Sequence, residues 1–114
     1  VYADEKWLIF LLNQLIENAV KYKRKDGALL CLEIQREPQC VRLIVRDNGI
    51  GIPPHDLPRI FDKGFTGDNG RLVHLHSTGI GLYLCKKLCT SLQIGLHADS
   101  DGEGTAMCLE FHHV

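Results

Sequence analysis

The sequence predicts a two-layer α+β sandwich, a mixed and mostly antiparallel sheet packed against helices. Three observations carry that expectation. Apolar residues recur at helical spacing from Asp4 to Tyr22 and again from Gly79 to about Leu92. Two pairs of alternating segments, 30–35 with 40–46 and 94–98 with 105–111, are each joined by a turn-rich link and read as antiparallel hairpins. The chain has 114 residues, 45% hydrophobic and 24% charged, with no internal repeat and no linker, which suits one domain over 1–114 with a single modest core.

In the first helix Leu8, Leu11, Leu12, Leu15, Ile16, Ala19 and Val20 fit the helical period, with Asp4 available as N-cap and Gly27 as the stop. Leu30, Leu32 and Ile34 then alternate with Cys31, Glu33 and Gln35, and after "REPQ" comes the strand 40–46. That strand runs into "DNGIGIPP". Strand side chains alternate faces, so Val41, Leu43, Val45 and Asp47 share one face and the carboxylate points inward. A buried carboxylate without donors is costly, so the protein or a ligand must supply them. Pro53 and Pro54 end the strand, residues 55–62 make at most a short helix, and 63–78 form one long glycine-rich loop without period, a functional or disordered kind of segment in a compact domain. The second helix carries Leu82, Leu84, Cys85, Leu88, Cys89 and Leu92, and the closing hairpin turns at "DSDGEG".

Composition narrows the partners. A net charge of −1, with only Lys21, Lys23, Arg24 and Lys25 clustered, gives no footprint for a phosphate backbone, so nucleic acid is not expected. The longest strongly apolar run, Trp7 to Leu12, is too short to span a bilayer, so the segment is expected in water even if a larger parent is membrane-anchored. Five cysteines without a CxxC pair read as free thiols in a reducing compartment, filling core or surface positions. "HLH" at 74–76 and "HH" at 112–113 read as loop and chain-end residues in preference to metal ligands.

Three clusters carry chemistry. Gln14, Asn18, Lys21 and Tyr22 line one stripe of the first helix: amides able to offer oxygen to a hard cation, an ammonium able to reach phosphate, and a ring able to stack on a base. Any one of them alone would read as a solvated face. Thr78, Gly79, Ile80, Gly81 and Leu82 stand where the long loop becomes a helix, either a simple capping turn or a cradle of backbone amides for phosphate. In "GEGTAM", Gly104 and Thr105 either open a strand or place a hydroxyl beside a ligand.

Taken in order, "NQLIENAVKY", "DNGIGI", "RIFDKGF", "STGIGL" and "GEGTAM" resemble the N box, the F box and the three glycine boxes of the ATP-binding catalytic domain of bacterial sensor histidine kinases. The wider superfamily includes gyrase, MutL and heat-shock chaperone ATPases. The resemblance extends from about Asp4 to Phe111, and it implies a Bergerat-type fold with a flexible ATP lid at about 63–78. It implies further that Asn18 holds Mg²⁺ on the phosphates of ATP, that Lys21 reaches phosphate, and that Tyr22 packs near adenine. Asp47 would accept from the adenine amino group, with Gly49, Gly51 and Ile52 passing close to the ring. Phe61 and Phe65 would anchor the lid, Gly79 and Gly81 would underlie the phosphates, and Thr105 would be one of the ATP-binding residues. Arg71, by charge and place, is the expected γ-phosphate contact.

Gln14 stands where many sensor kinases carry a second asparagine, and where gyrase-like relatives carry a glutamate general base. Gln14 cannot take a proton from water, and Glu17, one residue before Asn18, is rotated about 100° away from the stripe. Phosphotransfer is therefore favoured over hydrolysis, with the acceptor histidine outside this segment. The alternatives are a self-contained ATPase switch of the same superfamily and an anti-sigma-type serine kinase. The resemblance implies a fragment of a longer, membrane-anchored kinase, itself cytoplasmic and monomeric. Its partners would be its own dimerisation and phosphoacceptor domain and a downstream response regulator.

Overall fold

The computed structural model describes residues 4–65, 80–101 and 103–112. Helix α1 spans Glu5–Lys21, strands β1 and β2 span Leu30–Arg36 and Cys40–Asp47, and a 3-10 turn covers Leu57–Arg59. Helix α2 follows at Ile80–Leu92, then β3 at Gly95–Ser100 and β4 at Thr105–His112. The four strands form one sheet in the order β1-β2-β4-β3 with every pair antiparallel.

Local chemistry accounts for the element ends. Asp4 caps α1 as expected, its carboxylate accepting from the Lys6 amide at 3.0 Å. Gly27 is not the stop. The helix ends at Tyr22, whose amide still donates to the Asn18 carbonyl at 3.2 Å but whose carbonyl accepts from Ile50 N–H at 3.0 Å across the fold. A tertiary hydrogen bond thus ends α1 before the glycine, which lies in the following loop at φ +68°. At the end of α2, Gln93 adopts φ 59° and Ile94 N–H returns to the Cys89 carbonyl at 2.8 Å, a left-handed cap made without glycine. The closing hairpin is longer than its sequence suggests, because Asp99 and Ser100, within the expected turn, still pair as strand.

The core lies between the helices and one sheet face. Leu11 and Leu15 from α1 and Cys85 and Cys89 from α2 pack with Val45, Leu96, Met107, Leu109 and Phe111, and Ile60 closes the group from the segment after β2. Cys85 and Cys89 are filled core positions, as expected of free thiols. The helix layer leaves most of β1 uncovered: Leu30, Leu32 and Ile34 lie opposite Asp47, Val45 and Leu43 on the core face, yet they are 46%, 53% and 64% exposed. Among the described residues no helix is long and apolar enough to cross a membrane, and no group of three or more His, Cys, Asp or Glu side chains is placed to hold a metal ion.

Candidate functional site

The site is assembled where β2, α1, α2 and β4 converge. Asp47 ends β2 on the core face two residues beyond the buried Val45, as the alternation predicts. Its question of donors has a partial answer within the chain: Oδ1 accepts from Gly49 N–H at 2.8 Å, and the backbone amide of Thr105, its register partner on β4, also bonds to the carboxylate. Desolvation nevertheless outweighs these bonds and raises the Asp47 carboxyl above its ordinary value. Two backbone donors hold the group without fully compensating its charge.

The loop after Asp47 is fixed from several sides. A Cβ on Gly49 would collide with the Tyr22 carbonyl oxygen and lie 2.9 Å from Asp47 Oδ1, so glycine here lets the end of α1 sit directly on the loop. The sequence attributes that glycine to the approach of a base; the structure shows that the chain itself already occupies the space. Gly104 performs the same service from β4's side, at φ +153° and with its Cβ position against the Asp47 carbonyl and 3.0 Å from Asn48 Cα. Asn48 turns the other way. Its Oδ1 accepts from Leu29 N–H at 2.7 Å and its Nδ2 donates to the Gly27 carbonyl at 2.9 Å, while Arg24 donates to its backbone oxygen. Gly51 adopts φ +75°, and Ile52 N–H reaches the Ser100 hydroxyl at 2.8 Å.

Gln14, Asn18, Lys21 and Tyr22 are all half-buried, whereas Glu17 is exposed and points away. Burial lowers the Lys21 ammonium and raises the Tyr22 phenol, and the Lys21 nitrogen lies 5.4 Å from the Tyr22 ring centroid. Gln14 Oε1 lies against Gly81 at the first turn of α2, 2.7 Å from where a Cβ would stand, so the amide stripe and the start of α2 face each other directly. Thr105 is buried, 8% exposed, next to Asp47 on the neighbouring strand.

Cation–ring contacts tie the segment around the 3-10 turn to α2 and close it on itself. Lys86 lies 5.6 Å from the Phe61 ring centroid, Lys63 lies 5.9 Å from that of Tyr83, and Arg59 covers Phe65 at 4.5 Å. Of the predicted residues, the structure brings Tyr22, Asp47, Gly49 and Thr105 together at the end of β2, while Asn18, Lys21, Gly51, Ile52, Phe61, Ile80, Gly81 and Leu82 lie among the described residues. Arg71, Thr78 and Gly79, with the greater part of the expected lid, lie outside the described residues. Sequence reasoning assigned no role to Ser100, which hides inside a turn-like string. It also left Asn48 unassigned, although an amide directly after an inward carboxylate was a usable sign of a loop-pinning residue.

Fold and site together define a class of domain with helices over an antiparallel sheet, an inward carboxylate at the end of β2 and a polar helix stripe that faces Gly81. Residues 3–114 match the family described as histidine kinase-, DNA gyrase B- and HSP90-like ATPase, and the chain belongs to that family. It is similar to the sensor histidine kinase YxdK of Bacillus subtilis (strain 168), 40% identical over 97% of this chain and 34% of that protein. The fold is similar to that of the mycobacterial sensor histidine kinase MprB, with a TM-score of 0.84, 24% identity, and coverage of 98% of this chain and 76% of that one. Full-length ShkA, solved in complex with AMPPNP, aligns with a TM-score of 0.73 and 27% identity over 96% of this chain and 22% of its own. The chain therefore spans about a third of the length of the curated relative.

Proposed function

We propose that this chain is the ATP-binding catalytic unit of a two-component sensor histidine kinase, which binds Mg²⁺-ATP and passes its γ-phosphate to a histidine of the parent's dimerisation domain. One observation carries this reading above the others. The half-buried stripe Gln14, Asn18, Lys21 and Tyr22 opens on Gly81 at one end and, through the Tyr22–Ile50 hydrogen bond, on the Asp47 loop at the other. Phosphates and base then have separate places along one helix. The family match and the likeness to sensor kinases support the same reading.

In this arrangement Asp47 accepts from the adenine amino group with the capacity its two backbone donors leave, and Thr105, Gly51 and Ile52 border the ring. Tyr22 packs beside the base, Lys21 neutralises phosphate charge, and Gly79, Gly81 and Thr78 underlie the phosphates at the start of α2. Asn18 offers a carboxamide oxygen on the same stripe, and one such oxygen fits Mg²⁺, which takes few protein ligands and keeps waters and phosphate oxygens for the rest. When bound, Mg²⁺ supplies charge neutralisation between phosphate oxygens. The chain's residues position and screen; the nucleophile is a histidine elsewhere in the parent. Arg71 is assigned to the γ-phosphate and residues 63–78 to the lid. The wider assignment follows: a cytoplasmic part of a membrane-anchored kinase, monomeric alone, serving a response regulator.

Calorimetric titration with AMP-PNP, with and without Mg²⁺, beside Asp47→Ala tests the proposal. Metal-dependent binding that falls at least tenfold in the variant is the expected result, for a lost hydrogen bond to a charged group contributing about 1.5–3 kcal/mol. Equal affinity in both proteins refutes it.

A further inference from the structure

We infer that Ser100 is a positioning residue for the base-recognising loop 47–52, a role that rests on the nucleotide reading above and deepens it. Ser100 is the last residue of β3, half-buried and opposite Thr105 in the sheet. Its hydroxyl is used in both directions: it accepts from Ile52 N–H at 2.8 Å and donates to the Gly104 carbonyl at 2.8 Å. Gly104 in turn lies against the Asp47–Asn48 backbone so closely that a Cβ there would collide with it. The single hydroxyl therefore joins both ends of the loop, its entry through Gly104 and its exit through Ile52.

The consequence is geometric. Asp47 Oδ1 is oriented by Gly49 N–H, inside the loop, and the Ile52–Ser100 bond holds the loop's exit while Ile50 and Asn48 hold its middle. Without the hydroxyl, Ile52 N–H and the Gly104 carbonyl lose a shared partner, and the exit of the loop is no longer tied to β3. Ser100 touches neither base nor phosphate in this scheme; it fixes where the carboxylate points.

The test uses the 114-residue chain with AMP-PNP and Mg²⁺, as wild type, Ser100→Ala and Ser100→Thr, with amide hydrogen exchange in parallel. Ser100→Ala is expected to weaken AMP-PNP binding about tenfold, the cost of one buried hydrogen-bond partner. Exchange should accelerate at the amides of 48–52 while Leu11, Leu15 and Cys89 keep their protection. Threonine, which retains the hydroxyl and suits a strand, should restore both readings. Unchanged affinity in Ser100→Ala overturns the inference, as does weaker binding without local exchange, acceleration spread across the core, or failure of threonine to restore. A wild-type chain that binds no AMP-PNP fails at an earlier step, and refutes the nucleotide reading together with the role of Ser100.

Discussion

Replacing Gly49 by alanine is the sharpest probe of how the Asp47 loop is built. The new methyl would overlap the Tyr22 carbonyl oxygen, with the Tyr22 carbonyl carbon at 3.1 Å and Asp47 Oδ1 at 2.9 Å. The Tyr22 neighbours are backbone at the end of a helix and cannot swing aside. Relief requires the loop to withdraw, which breaks Ile50 N–H to Tyr22 O at 3.0 Å and strains or breaks Gly49 N–H to Asp47 Oδ1 at 2.8 Å. A neutral hydrogen bond contributes about 1 kcal/mol and one to a charged group about 1.5–3, so the combined cost is about 2.5–4 kcal/mol. At roughly 4 °C per kcal/mol for a domain of this size, the melting temperature should fall by about 10–15 °C. Gly27→Ala is the contrasting control, because that glycine has positive φ, +68°, where Gly49 does not, and no atom stands within 4 Å of its Cβ position. Only the left-handed backbone penalty of about 1–2 kcal/mol applies there. Urea unfolding of the two variants beside wild type measures both costs, and AMP-PNP titration should show affinity lost in Gly49→Ala alone. A Gly49→Ala chain no less stable than Gly27→Ala would refute the close-approach account.

Three further outcomes are expected. Burial raises the Asp47 carboxyl above 3.8, so between that pH and the raised folded-state value the folded chain holds more protons than the unfolded one. The stability contribution of this group is therefore fully present below the unfolded value and lost as pH rises through the folded one. Unfolding of wild type and Asp47→Asn at a series of pH values should show the difference moving in favour of asparagine as pH rises, and a constant difference would contradict it. Glu17→Ala should leave AMP-PNP affinity and any ATP turnover within twofold of wild type, since Glu17 is exposed and off the stripe; abolished turnover would restore the self-contained ATPase reading. Burial pushes the Cys85 thiol up to about 12 and Cys89 to about 11, so native-state alkylation at about pH 8, followed by mass spectrometry, should label exposed Cys31 first and spare both helix thiols until the chain unfolds.

The parts that were legible in the sequence are those fixed by periodicity. Alternation along β2 places Asp47 on the core face correctly, and the helical period separates Gln14, Asn18, Lys21 and Tyr22 from Glu17. What could not be read are contacts made across the fold. Nothing local ends α1 at Tyr22 in place of Gly27; the acceptor role of the Tyr22 carbonyl toward Ile50 does. The same alternation marks Leu30, Leu32 and Ile34 as inward, but whether a helix covers them depends on how α1 and α2 cross the sheet, and they leave most of β1 uncovered. Ser100 is invisible for a related reason: its two partners lie 48 and 4 residues away, and only the sheet register brings them to one hydroxyl.

The electrostatics of the site favour a ligand over a purely structural role. Burial makes the Asp47 carboxylate harder to ionise and the Lys21 ammonium harder to protonate, so each charge is held at a cost to the fold. If these residues served only stability, apolar or amide replacements in the same space would serve better. The proposed ligand offers each group its chemical complement, a hydrogen-bond donor for Asp47 and anionic phosphate for Lys21. In the proposed arrangement Asp47 and Lys21 serve the base and the phosphates respectively, beside a loop held by Gly49, Gly104 and Ser100. A molecule with an amino-bearing ring and a phosphate tail satisfies both at once, and neither half alone does. Nucleotide binding should consequently stabilise the wild-type chain by more than the sum of adenosine and inorganic triphosphate tested separately. Differential scanning with the three ligands at equal free concentration measures this directly. Additive shifts would mean that the two ends act as separate sites and that the loop does not hold them in register.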